Sequence, residues 1–285
     1  MHKSFYIIVA NKEISNYILK EFKKSNIDGL RISCIDYKKN IKLNLHLKDT
    51  NTDLFYTLFS NIISSCIIQF YEKRIIKHII STNYFYFTNI EQQKIYNIVL
   101  NYLNNNEINE CVLRKDSIKL SCMNYFPSNE FVILNGFINF RLNDYVKILD
   151  YIIDLSVNKF IIDKEYQEFI DTIKNYINSK GYNDSLVHLI YYNQESILLD
   201  EYKNTINLSN SPLDKKFISD ISFSSNDYTL NALLTLLPKR IYIHIIDEIE
   251  DDFIRTLKIL FDKRIYICND CNICATYKPS KANKL

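Results

Sequence analysis

Lys239-Arg240-Ile241-Tyr242-Ile243-His244 and Lys263-Arg264-Ile265-Tyr266-Ile267-Cys268 open with the same five residues, and one amphipathic segment separates them. Each copy has the length and the β-branched and aromatic content of a strand. Residues 247–262 between them place Ile249, Phe253, Leu257 and Leu260 on one helical face. Glu248, Glu250, Asp251 and Asp252 fall in the expected first turn, where the helix dipole favours acids. A strand–helix–strand of this length is a crossover between parallel, usually neighbouring, strands. With the two copies in register, His244 and Cys268 hold equivalent positions on one face, ~5 Å apart. Both then lie at the carboxyl ends of their strands, where open α/β sheets place ligands.

Cys268 also opens the run Cys268-Asn269-Asp270-Cys271-Asn272-Ile273-Cys274, two overlapping C-x-x-C pairs. That spacing lets successive thiolates turn toward one ion. A structural zinc takes four ligands, and His244, Cys268, Cys271 and Cys274 make a Cys₃His set. Three other readings of these residues stay open. A bacterial ferredoxin run needs a fourth cysteine before its proline, and here Lys278 precedes Pro279. A thioredoxin-type redox pair opens a helix after a first strand, whereas this motif follows the last one. The third is a set of thiols without metal. Cys34, Cys66, Cys111 and Cys122 lack such spacing and read as small core hydrophobes or incidental residues.

Upstream, the pattern divides the chain into segments. Phe5 to Val9 reads as a strand, and Ile14, Tyr17, Ile18 and Phe22 recur at helical spacing until Asp28-Gly29. Two alternating runs follow, joined through Lys38-Lys39-Asn40 as a hairpin. Residues 52–104 read as helical with an aromatic interruption at Tyr84-Phe85-Tyr86-Phe87, and 107–130 has little periodicity. Two helices are expected over 142–158 and 163–178, the second ended by Lys180-Gly181, then a strand pair around Asn193-Gln194-Glu195. A Ser- and Asn-rich connection spans 204–226, and a helix over 228–237 is closed by Pro238. The fold class is therefore α+β, with an N-terminal α/β unit over 1–50 and a mainly helical region over 51–182. A C-terminal α/β unit carrying the cysteine cluster occupies 183–275, and a disordered tail 276–285.

Composition excludes several activities. Three isolated glycines, Gly29, Gly136 and Gly181, build neither a dinucleotide-binding turn nor a P-loop. A formal charge of +2 with no basic stripe argues against nucleic acid as partner. No secretory signal is apparent. The uncharged stretch 54–71 has about the minimum length to cross a bilayer, but its Thr57, Ser60, Asn61, Ser64, Ser65 and Gln69 favour a buried helix over a membrane span. A cytoplasmic protein with reduced thiols is expected. The carboxylates of Asp163, Glu165 and Glu168 read as a solvated helix face, and His46 and His78 have no recognisable partner. Gly136 to Phe140 faintly echoes an RNA-recognition motif but reads as a turn into a helix, with Arg141 in a surface ion pair.

Four segments carry a family resemblance: Gly136-Phe137-Ile138-Asn139-Phe140-Arg141-Leu142-Asn143-Asp144-Tyr145; Glu165-Tyr166-Gln167-Glu168-Phe169-Ile170; Leu236-Leu237-Pro238 through His244; and Arg264 to Cys274. In these the chain resembles the YtxC family of sporulation proteins from endospore-forming Firmicutes. The resemblance covers most of the chain and is firmest from residue 130 onward. It implies a cytoplasmic role in sporulation and no assigned catalytic activity, and it adds weight to His244 belonging with the terminal cysteines. The expectation is a non-enzymatic protein acting through contacts with other proteins, with a structural zinc. The alternative is a redox or iron–sulfur protein using the same cysteines.

Overall fold

The computed structural model describes residues 2–25, 29–48, 52–105, 108–206, 224–247, 249–268 and 270–278. Most of the expected connection over 204–226, the tail beyond Lys278, and Asp28 and Glu248 lie outside them. The architecture is α+β, and the chain divides into two compact units, Met1–Ile162 and Asp163–Leu285.

The first unit opens with β1 (His2–Val9), α1 (Lys12–Lys24), β2 (Arg31–Tyr37) and β3 (Asn40–Lys48), as the periodicity predicts. The side chain of Asn11 caps α1 by accepting from Ile14 N–H at 3.0 Å. The hairpin turns through Lys38, which sits at φ 55. Alternation puts Phe5, Ile7 and Val9 with Leu43, Leu45 and Leu47 on the buried face. Against them pack Ile14, Ile18 and Phe22 of α1 and the apolar face of α2 (Thr52–Phe70). The stretch Asp53–Phe70 is long and apolar enough to cross a membrane, yet half of it is buried within this unit. Its Phe59 lies against Phe5, Phe22, Phe55 and Phe126, an aromatic cluster at the centre of the core.

α3 (Glu72–Asn83) and α4 (Asn89–Asn105) follow, flanking the aromatic patch. The unreadable stretch 107–130 is mostly helix, α5 (Asn109–Tyr125). Cys111, Ile118 and Cys122 are buried on its inner side while Val112, Leu113 and Leu120 are exposed, so apolar residues on two sides erase the periodicity. β4 (Phe131–Ile133) then completes the sheet in the order β2-β3-β1-β4, parallel to β1. α6 (Leu134–Arg141) includes Gly136, which is helical rather than the expected turn.

The two helices expected over 142–158 and 163–178 are one, α7 (Asn143–Lys180). Nothing in Asn158-Lys159-Phe160-Ile161-Ile162-Asp163 breaks a helix: no Gly or Pro interrupts it, and a lone Asn costs little. The helix ends at Gly181, whose φ of 75 is the left-handed conformation that glycine adopts without strain.

The second unit contains β5 (Asn183–Tyr192), β6 (Glu195–Leu199), α8 (Ser225–Leu236), β7 (Pro238–Ile245), α9 (Asp252–Phe261), β8 (Ile265–Ile267) and α10 (Asn272–Tyr277). α10 thus includes Thr276 and Tyr277, the first two residues of the expected tail. Asn193 and Gln194, at φ 53 and 64, form the tight β5–β6 turn. The sheet order is β6-β5-β7-β8, with β5, β7 and β8 parallel. α9 starts later than expected, because Asp251 caps it by accepting from Phe253 and Ile254 N–H. Glu250 and Asp251 therefore precede the helix, and Asp252 alone is the acid of its first turn. Lys263 and Arg264 form a 3₁₀ turn rather than the start of the last strand. One sheet face carries Val187, Leu189, Tyr191, Ile241 and Ile243 against Ile170, Ile177, Leu233, Ile254 and Leu257 of the helices. A smaller cluster holds Ile190, Leu199, Ile246, Ile273 and Cys274.

A buried ion pair fixes three helices of the first unit. Glu72, 7% exposed at the start of α3, accepts from Arg114 Nε at 3.1 Å and from the Tyr145 hydroxyl at 3.0 Å. Arg114 also donates to the carbonyl of Cys111. Burial raises the pKa of Glu72, and Arg114 and Tyr145 offset only part of that cost. Removing Arg114 strands a buried carboxylate. Arg114→Met is expected to destabilise the protein by about 3–5 kcal/mol, and Tyr145→Phe by about 1–2 kcal/mol. Denaturant titration of the variants checks both, and a loss under about 1 kcal/mol for Arg114→Met contradicts the account.

Candidate metal centre

The repeat sets the register that brings the ligands together. Ile241 pairs with Ile265, Tyr242 with Tyr266 and Ile243 with Ile267. The next backbone group continues the ladder, with Cys268 N–H donating to the Ile243 carbonyl at 2.9 Å. His244 and Cys268 thus stand side by side, as register alone predicts. His244 is 2% exposed, the most enclosed group of the site.

Cys271 and Cys274 come from the short segment beyond. Cys271 is the N-cap of α10, its carbonyl accepting from Ala275 N–H at 2.9 Å, and Cys274 is buried on the helix's inner side with Ile273. An exposed Lys278–Asp270 contact at 3.3 Å adds little. Their spacing turns both sulfurs toward β7.

The four ligand atoms lie within 4.8 Å of one another, a set that can hold a metal ion. His244 Nδ1 is 3.3 Å from Cys274 Sγ and 3.5 Å from Cys271 Sγ. Cys274 Sγ is 3.8 Å from Cys271 Sγ and 3.7 Å from Cys268 Sγ. A disulfide would need ~2.05 Å. A tetrahedral ion with sulfur at ~2.3 Å and imidazole nitrogen at ~2.05 Å has S···S edges of ~3.8 Å and N···S edges of ~3.5 Å. These four separations match four of the six edges of that tetrahedron, and the remaining two, from Cys268 to Cys271 and to His244, lie within 4.8 Å.

The electrostatics differ from ligand to ligand. Burial, then the neighbouring His188, holds the pKa of His244 down at about 4, so it is the neutral imidazole that ligates metals. Burial, then the adjacent Cys271 and Cys274 thiols, pushes Cys268 up to about 12. Burial also raises Cys271, but the backbone N–H of Cys274, the Cys268 thiol and the N–H of Ile273 outweigh it and leave its pKa lowered. An ion would supply the positive charge that crowded thiolates need.

Sequence reasoning missed His188. It lies on β5 with Nδ1 3.0 Å from His244 Nε2. Its only sequence signal is its place in the alternation Val187-His188-Leu189-Ile190, which does not say which strand lies alongside.

The other sequence candidates are dispersed. Cys66, Cys111 and Cys122 are buried, with burial raising the Cys66 pKa to about 12, and Cys34 is exposed on β2. Ser4 Oγ lies 2.9 Å from His46 Nδ1, while His78 lines an open groove with Arg74 and Lys77. Asp163, Glu165 and Glu168 face solvent. Arg141 lies over the Tyr125 ring, 5.7 Å from its centroid.

Comparisons with known proteins bear out the family resemblance. The uncharacterized protein YtxC of Bacillus subtilis (strain 168) is 25% identical over 133 residues, covering 46% of this chain and 46% of that protein. The chain spans about half the length of that curated relative. No solved structure matches. A family model described as the YtxC-like family matches residues 57–266, a span that contains His188 and His244 and stops just short of Cys268. The chain therefore belongs to the YtxC-like family.

Proposed function

We propose that this is a non-enzymatic cytoplasmic protein of the sporulation programme, acting through contacts with other proteins, and that its Cys₃His centre holds a structural zinc ion. Family membership supports the link to sporulation. The zinc reading is carried by one observation, the match between the S···S and N···S separations and the edges of a zinc tetrahedron. Three thiolates and an imidazole are soft and borderline ligands that suit zinc. Four protein ligands leave no open position for water or substrate, the arrangement of a structural rather than a catalytic site.

The ion's role follows from what surrounds it. α10 has 6 residues, too few to hold a helix by itself. Its buried contacts are Ile273 and Cys274, which join Ile190, Leu199 and Ile246 in a small cluster. Zinc bound to Cys271 and Cys274 on one side, and to His244 and Cys268 on the other, ties this segment to the sheet.

Protein purified without air is expected to be colourless and to carry one zinc per chain, while His244→Ala carries much less. Free zinc at ~1,000 times its Kd stabilises by ~4 kcal/mol, so chelation lowers Tm. A brown, iron-containing protein would instead support the iron–sulfur alternative. Full metal retention in His244→Ala removes His244 from the ligand set.

The metal-free protein has its own pH signature. Folded, His244 stays neutral down to about 4, whereas its ordinary value is 6.5. Burial likewise lowers His188. Between these values the unfolded chain binds protons that the folded chain refuses, so stability falls as pH drops through this window. Thermal melts in chelator from pH 7.5 to 4.5 are expected to show a falling Tm, with a smaller fall in His244→Asn.

A further inference from the structure

His188 touches the centre without being one of its ligands. Ile190 of β5 pairs in parallel with His244, and His188, two residues earlier, points to the same face opposite Tyr242. Its ring tilts against Tyr242 at 5.5 Å and against His244 at 5.3 Å. The His188 Nδ1–His244 Nε2 separation of 3.0 Å is a hydrogen bond, and two imidazole nitrogens on one line share a single proton.

The thiols decide where that proton belongs. His244 Nδ1 faces the sulfurs of Cys274 and Cys271. A ring that gives its Nδ1 lone pair to a metal carries its proton on Nε2. That proton points at His188 Nδ1, which must be bare, so the proton of His188 sits on its own Nε2.

We infer that His188 is a positioning residue of the metal centre: by accepting the Nε2–H of His244 it holds that imidazole in the tautomer and orientation that present Nδ1 to the ion. The inference rests on the zinc reading. Metal-bound histidines commonly donate to a carboxylate, a backbone carbonyl or a water. Among the described residues, the recorded side-chain partners of His244 are His188, Cys271 and Cys274. A neutral acceptor suits this set, because Zn²⁺ with three thiolates already carries net negative charge and a carboxylate would add to it.

The full chain tests this with two substitutions. His188→Phe keeps a ring against Tyr242 but removes the acceptor, and His188→Asn places a carbonyl oxygen near the Nδ1 position. In zinc competition against a chromophoric chelator, His188→Phe is expected to bind roughly 10–100-fold more weakly than wild type, with His188→Asn recovering most of the loss. Long-range ¹H–¹⁵N spectra of the metal-free protein are expected to show His244 as the Nε2–H tautomer in wild type and His188→Asn, and as a mixture in His188→Phe. Wild-type zinc affinity and tautomer in His188→Phe overturn the inference. So does His188→Asn binding as weakly as His188→Phe, which would assign the effect to ring packing. If wild type binds no zinc, the zinc reading falls, and the tautomer spectra still decide whether His188 places the His244 proton: a mixture in wild type overturns it.

Discussion

The parallel pairing of β7 with β8 is the constraint on which the second unit depends. It aligns two residues far apart in sequence, His244 and Cys268, and the Cys268 N–H to Ile243 carbonyl bond extends that alignment past the last strand residue. Burial on the opposite face holds the pairing in place. Ile241 and Ile243 are fully buried against Ile254 and Leu257, so a one-residue slip would carry apolar side chains to the wrong face. Half of the centre is thus mounted on a rigid ladder, and the other half on a short helical segment with few contacts of its own.

The two units solve the same problem with different chemistry. Each encloses polar groups where an unmet charge or donor is costly. In the first, Glu72, Arg114 and Tyr145 satisfy one another and join α3, α5 and α7. In the second, imidazole and thiols are brought together with their lone pairs converging. The first set is complete with the groups present. The second is a set of converging ligand atoms that could hold a metal ion.

How much could be read from the sequence follows from which interactions are local. The repeat was legible because both copies carry the same period-two pattern, and with it came the register that sets His244 beside Cys268, while Cys271 and Cys274 were legible from their C-x-x-C spacing. His188 was not, because its strand neighbour is set by long-range pairing. α5 was hidden by apolar residues on its outer side, Val112, Leu113 and Leu120. β4 is three residues long and owes its strand conformation to β1. α7 looked like two helices because its polar residues near 158–163 resemble a terminus when packing is unseen. α9 began late because Asp251 serves as its cap, a role composition alone does not separate from a first-turn acid.

The repeated pentapeptide also bears on how the sheet comes to be ordered. Two segments with the same Lys-Arg-Ile-Tyr-Ile have the same intrinsic taste for a neighbouring strand, yet one becomes central and the other an edge. Ile243 is fully enclosed while its counterpart Ile267 is 43% exposed. Side-chain preference therefore cannot sort them; connectivity does, through α8 and Pro238 leading into one and the turn at Asp262 leading into the other. An exchanged order would set Cys268 beside β5 and leave His244 at the rim, away from His188. Either order keeps His244 next to Cys268, but only the native order of the two twins also brings His188 onto His244, so that one contact discriminates between strand orders that the strands themselves do not tell apart.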